Sequence, residues 1–204
     1  MNCSEWTLTA TCKKSEPTKM TDSTLSTRPT STTKPHIVTR EFNAPRDLVW
    51  DVCTQADHMA KWFAPGGRKG NVKTLDFRVG GMVHYSQSAP DGSDVVWGRA
   101  VYTEIEPKDR FVYMQSFSDE QANIGAHPLA PGWPRVLHCV YRFEDPGNPG
   151  PGTGARTRLS VEWTPADDCT PEAIAMFDSA REGMNGGWKG TLDNLENYLL
   201  TLKP

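Results

Sequence analysis

The side chains that could move a proton, attack a carbonyl or grip an aromatic guest include five histidines, five cysteines and seven tryptophans, and their spacing says more than their number. His84 lies in the β-type run Met82-Val83-His84-Tyr85, so alternation puts it on one face with Met82 and Ser86 while Tyr85 takes the other. One of the two must look inward. An imidazole there could work as a general base, its reference pKa being near neutral, or serve as a hydrogen-bonded structural group. Glu104 shares a face with Tyr102; turned inward it would be a site carboxylate, and the outward, solvated placement is the one expected. His127 opens the loop His127-Pro128-Leu129-Ala130-Pro131-Gly132-Trp133-Pro134, whose prolines either stiffen a lid or merely keep the segment from pairing with strands. His138 and Cys139 are neighbours in a strand and point to opposite faces, so they cannot share a metal ion. The sequence has no Ser-His-Asp order, paired-carboxylate motif or phosphate-binding loop, and Gly150-Pro151-Gly152-Thr153-Gly154 lacks the flanking strand and helix of one. No metal, cofactor or catalytic residue is assigned.

These residues are carried by a readable series of elements. His36 to Phe42 is a short strand pattern, and Asn43-Ala44-Pro45 marks the start of a helix through Thr54. A second short helix over Ala56 to Phe63 ends at Pro65-Gly66-Gly67. Six further β-type segments follow: Asn71 to Phe77, Gly81 to Ser88, Val95 to Glu106, Arg110 to Phe117, Val136 to Glu144 and Thr157 to Trp163. Turns such as Pro90-Asp91-Gly92 separate them, which suggests an antiparallel meander. The Pro- and Gly-rich stretch from Asp145 to Ala155 reads as a plain hairpin connector. After the cap Thr170-Pro171-Glu172, one helix is predicted to run to Leu200, with Ile174, Phe177, Met184, Trp188, Leu192, Leu195 and Leu199 on a single apolar stripe. The fold class is therefore α+β: a curved antiparallel sheet wrapped around a long C-terminal helix, with two short helices after the first strand.

A sheet bent around one helix encloses more volume than its own side chains need fill. Six of the tryptophans lie in this folded region, and Trp62, Trp97, Trp133 and Trp188 are expected at the mouth or wall of a cavity. Met184 and Trp188, at i and i+4, put a plastic thioether and a flat ring at one level. The full set of cavity candidates is Trp62, His84, Trp97, Tyr102, Tyr113, Phe117, His127, Trp133, Arg181, Met184 and Trp188. Arg181 projects near the centre of the helix stripe, where an unpaired charge is costly, so it must snorkel, pair or meet a ligand. Gly183, Gly186, Gly187 and Gly190 gather on the other face of the helix at a cost of about 3 to 4 kcal/mol relative to alanine, which a kink or a closely packed backbone would offset.

Composition excludes several classes. The formal charge of -3 offers no basic field for nucleic acid. No apolar stretch approaches the roughly 20 residues of a membrane span. Residues 1–34 are rich in Thr and Ser, lack either period, and read as a disordered tail before a single domain over 35–204. The first ten residues lack a signal peptide's basic start and apolar core, and Cys3, Cys12, Cys53, Cys139 and Cys169 are odd in number and never in a CxxC pair, which predicts a cytoplasmic, reduced protein.

Several motifs taken together resemble a known family: Phe42-Asn43-Ala44-Pro45-Arg46-Asp47-Leu48-Val49-Trp50, His58-Met59-Ala60-Lys61-Trp62-Phe63, Gly80-Gly81-Met82-Val83-His84-Tyr85, Trp97-Gly98, Phe117-Ser118-Asp119-Glu120, His127-Pro128, and Gly187-Trp188 followed by Leu192, Leu195 and Leu199. They are similar to bacterial proteins related to the C-terminal domain of the activator of Hsp90 ATPase, within the START-like, polyketide-cyclase-like superfamily. The resemblance runs from about His36 to Leu200 and implies a helix-grip fold with an internal cavity. It leaves function open, because one fold hosts many functions. The leading expectation is a non-enzymatic module binding a small apolar molecule, lipid-like or polycyclic aromatic. The alternatives are a polyketide cyclase or hydrolase using a pocket His or carboxylate, and a co-chaperone-like interaction module. A homodimer is left open by the glycine face.

Overall fold

Period-two alternation builds the sheet and the helix stripe closes it. The computed structural model describes residues 33–147, 155–166 and 168–202. Its elements, in chain order, are β1 (His36–Phe42), α1 (Arg46–Thr54), α2 (Ala56–Trp62), β2 (Lys69–Leu75), β3 (Met82–Ser88), β4 (Val96–Glu106), β5 (Arg110–Ser118), β6 (Leu137–Glu144), β7 (Thr157–Pro165), α3 (Pro171–Ser179) and α4 (Arg181–Thr201). The seven strands form one sheet in the order β1-β7-β6-β5-β4-β3-β2, and every pairing is antiparallel. β2 to β7 are therefore a true meander. β1 returns to pair with β7, which puts the first two strands at opposite edges with α1 and α2 spanning between them.

One face of the sheet supplies the core. Val83, Ala100, Tyr102, Phe111, Tyr113, Cys139, Tyr141, Phe143, Leu159 and Val161 are buried on it. Against them lies the α4 stripe, Met184, Trp188, Leu192, Leu195 and Leu199, each buried and each worth about 1.5–3 kcal/mol of transfer free energy or more. Arg40, also on this face, reaches the α4 carboxylates of Asp193 at 2.5 Å and Glu196 at 3.5 Å, which ties the sheet edge to the helix.

Two local expectations are corrected, and a third holds at one position. Asn43 does not cap α1; Pro45 is its N-cap residue and Val49 N–H donates to Pro45 O at 3.1 Å. The C-terminal helix is not continuous, because it breaks at Ala180, whose φ and ψ are -90° and 1°. Ser179 Oγ donates to Met176 O at 2.8 Å and Ala180 N–H is shared between Met176 O at 3.1 Å and Phe177 O at 3.2 Å, so the turn tightens and the register resets. The glycines do not cause this break. Gly190 alone of the four meets backbone: a Cβ there would stand 2.5 Å from Gly66 N, while one at Gly183, Gly186 or Gly187 would meet nothing within 4 Å.

The predicted tail lies outside the described residues up to position 32. Thr33 and Lys34 belong to the fold: Thr33 is buried, and the Lys34 carbonyl accepts from Arg181. Residues 148–154 of the predicted hairpin connector also lie outside the described residues.

Candidate ligand-binding cavity

The inner face of the sheet does not meet α4 everywhere. Where β3, β4 and β5 diverge from α4, the side chains of Tyr85, Gln87, Val96, Gln115 and Phe117 border a cavity of about 150 Å³. Phe63 and Pro65, in the segment after α2, form one side of it, and Met184, Gly187, Trp188 and Thr191 of α4 the other. Trp163 of β7 stands edge-on to Trp188, with ring centroids 5.3 Å apart. A second chamber of about 300 Å³ shares Gln115, Phe117, Trp163 and Met184 with the first, and is completed by His127, Trp133, Leu137, Ala180 and Gly183.

The strand register explains the floor. Tyr85 pairs with Gly98, and Gly98 with Phe117. Gly98 has no side chain on the inner face, so the Tyr85 ring lies over it, where a Cβ would come within 2.5 Å of the phenol carbon. Gln115 Nε2 donates to Tyr85 Oη at 3.2 Å, and Cys139 Sγ donates to Gln115 Oε1 at 3.6 Å. Burial pushes the Tyr85 phenol and the Cys139 thiol well up from their ordinary values, so both keep their protons.

Among the described residues no Asp, Glu, Lys or Arg lines either chamber. An imidazole does: the His127 ring packs 4.4 Å from Phe117 and 5.9 Å from Trp133. Leu129 N–H donates to His127 Nδ1 at 3.0 Å, which puts the ring proton on Nε2. Burial lowers its pKa, so the ring is neutral at pH 7.

The residues expected at the cavity divide into three groups. Phe117, His127, Trp133, Met184 and Trp188 line it. Trp97 borders it along its strand, but by alternation its ring is on the outer face, stacked on His84 at 4.9 Å. Trp62, His84, Tyr102, Tyr113 and Arg181 do not line it. Trp62 fills the α1–α2 corner and donates from Nε1 to Val52 O at 2.8 Å. Tyr102 and Tyr113 pack into the aromatic core, where Tyr113 Oη donates to Tyr141 Oη at 3.2 Å. His84 is buried under Trp97 with its Nε2 3.0 Å from Asp119 O. Arg181 pairs with Asp178 at 2.7 Å, donates to the Lys34 and Pro35 carbonyls and lies over the Phe177 ring, all outside the cavity. Glu104 faces outward to Arg110 at 2.6 Å.

Several lining residues are not among those expected from the sequence, Phe63, Gln115 and Trp163 among them, and of the alternatives His84 and Tyr85 it is Tyr85 that faces inward. Alternation alone places Gln115 between inward Tyr113 and Phe117, and Trp163 with Leu159 and Val161. That signal was present for both. Phe63 follows α2, and no periodicity reaches it.

Among the described residues no three of His, Cys, Asp and Glu come together as a metal site, and no helix is long and apolar enough to cross a membrane. Cys53, Cys139 and Cys169 form no disulfide with one another.

The comparisons with known proteins agree with this architecture. Protein Ms6760 of Mycobacterium smegmatis is 25% identical, superposes with a TM-score of 0.65, and the match covers 84% of this chain and 93% of that one. The AHSA1 protein of Silicibacter pomeroyi shares 17% identity over 83% of this chain and 100% of its own, with a TM-score of 0.61. DynU16, from the dynemicin biosynthetic locus, gives a TM-score of 0.55 at 20% identity; the match covers 83% of this chain and 48% of DynU16. No protein with a curated description matches the chain. The sequence profile of the Activator of Hsp90 ATPase homolog 1-like protein family matches residues 43–200. With that match over most of its length and the curved seven-stranded sheet closed by a C-terminal helix, this chain belongs to the Activator of Hsp90 ATPase homolog 1-like family, of START-like fold.

Proposed function

We propose that this protein binds a small, flat, apolar molecule between β3–β5 and α4, and does no chemistry on it. The observation that carries the reading is the cavity's lining: Phe63, Tyr85, Phe117, Trp163 and Trp188 surround a space that no charged side chain among the described residues lines. Apolar walls supply affinity in proportion to the area removed from water, and a few fixed polar groups orient the guest. An enzyme of cyclase type would need a base in the cavity, and His84 and Glu104, the strand residues with the chemistry for that role, face elsewhere. His127 would be the remaining candidate base, and its Nδ1 is occupied by the Leu129 N–H.

Native mass spectrometry of the full chain purified from its own host tests the reading. A retained small molecule, displaced in parallel with N-phenyl-1-naphthylamine binding, is the expected result. A protein that carries nothing and does not bind the naphthylamine would overturn it.

A further inference from the structure

The two chambers have an imbalance of hydrogen-bonding groups that goes beyond their apolar character. Trp133 and Trp163 both line the larger chamber, and the Nε1–H of each is buried with no acceptor in the protein among the described residues. Trp133 itself is 9% exposed. An indole nitrogen can only donate, so these two groups wait for an acceptor. His127, which lines the same chamber, adds a third N–H, since Leu129 N–H occupies Nδ1 and leaves the ring proton on Nε2. Tyr85 adds a fourth: its oxygen already accepts from Gln115, which frees its own hydrogen. The opposing acceptors are few. Gln87 has its carbonyl oxygen, having spent an amide hydrogen on Phe63 O at 3.1 Å, and Thr191 has the hydroxyl oxygen that donates to Gly187 O at 3.0 Å.

A buried donor left without an acceptor destabilises the empty cavity, and a guest that brings an acceptor removes that cost. A carboxylate would also accept, but it would be buried without a cation, because no Lys or Arg among the described residues lines either chamber. On the reading that this cavity binds a small molecule, we infer that it selects an uncharged, flat ring system bearing carbonyl oxygens, which the indole N–H groups of Trp133 and Trp163 receive, and discriminates against both plain hydrocarbons and carboxylates.

The test uses three matched probes, fluorene, 9-fluorenone and 9-fluorenone-2-carboxylate, titrated into the full-length protein by isothermal calorimetry. 9-Fluorenone is expected to bind about tenfold more tightly than fluorene, the equivalent of one well-made hydrogen bond. The carboxylate is expected to bind roughly a hundredfold more weakly than 9-fluorenone. In Trp133→Phe and Trp163→Phe proteins, which lose the N–H together with part of the ring, both probes lose the same apolar contact, so the ratio of ketone to hydrocarbon affinity isolates the N–H and should shrink at least threefold in one or both. Tyr85→Phe provides a third variant should either indole replacement fail to fold, and it should shrink the preference in the same direction. Equal binding of fluorene and 9-fluorenone, or carboxylate binding as tight as the ketone's, would overturn the inference and leave the binding function standing. Binding of none of the three would overturn both.

Discussion

Gly98 lies directly beneath the ring of Tyr85, so close that a Cβ on residue 98 would stand 2.5 Å from Tyr85 Cζ and 2.6 Å from its hydroxyl oxygen. The floor of the cavity thus depends on a missing side chain. Gly98→Ala should drive the ring upward, costing about 1–3 kcal/mol by overpacking, and should reduce N-phenyl-1-naphthylamine binding at the same time. Urea unfolding and dye titration read the two effects. Unchanged stability with unchanged binding would show that the ring is free to move aside.

The α4 glycines are expected to divide by position. Gly186 faces open space, so Gly186→Ala should stabilise the protein by about 0.5–1 kcal/mol through helix propensity. Gly190 abuts the Gly66 backbone, with Gly66 N 2.5 Å and Gly66 Cα 3.0 Å from where a Cβ would sit. Gly190→Ala should therefore destabilise, because backbone cannot swing away as a side chain can. Chemical denaturation of the two variants gives opposite signs if the packing is as described, and a stabilised Gly190→Ala protein would refute it.

Trp188 packs on Trp163 and Tyr141, with ring centroids 5.3 and 6.2 Å away, and is 5% exposed. Trp188→Ala should cost about 3 kcal/mol, at the low end for a buried tryptophan because one side of the ring already borders empty space. Larger apolar dyes should then bind better than small ones. Thermal unfolding and a dye series measure this, and a loss near 5 kcal/mol would indicate a fully packed site.

Stability should fall on mild acidification. His36 and His127 both have pKa values held below the usual 6.5, in each case chiefly by burial, and for His36 also by the Arg181 charge. An imidazole whose folded pKa is lowered is protonated more readily in the unfolded chain, so the unfolded state binds more protons as the pH drops below 6.5 and stability declines until the folded pKa is passed. Carboxylates held low, such as Glu41 beside Arg158 and Arg156 or Asp193 beside Lys189 and Arg40, act only below their own ordinary values of 4.5 and 3.8. The window between about pH 6.5 and 5 therefore belongs to the histidines. Denaturation midpoints of wild type and His36→Gln across this range should diverge, the variant showing the shallower decline; identical slopes would assign the effect elsewhere.

Most of the architecture is legible in local pattern. Strand alternation and turn residues marked all seven strands to within about two residues at each end, and the α4 stripe from Met184 to Leu199 is the buried face seen in the structure. These signals are local, set by backbone geometry with periods of 2 and 3.6 residues. Which aromatic rings form a wall and which fill the core depended on tertiary structure. Tyr102 and Tyr113 alternate inward like Gln115 and Phe117, and which of them line the cavity followed from where along β4 and β5 the sheet leaves α4, while Trp62 at the end of α2 turned into the α1–α2 corner. The break at Ala180 left no mark on the periodicity either, because Ile174 and Phe177 before it step in register with the α4 stripe after it. Gly98 and Gly190 show the reason most plainly. Each is a glycine because of an atom far away in the chain or across a strand, Tyr85 in one case and Gly66 in the other, and no local period carries information about a neighbour that only folding supplies.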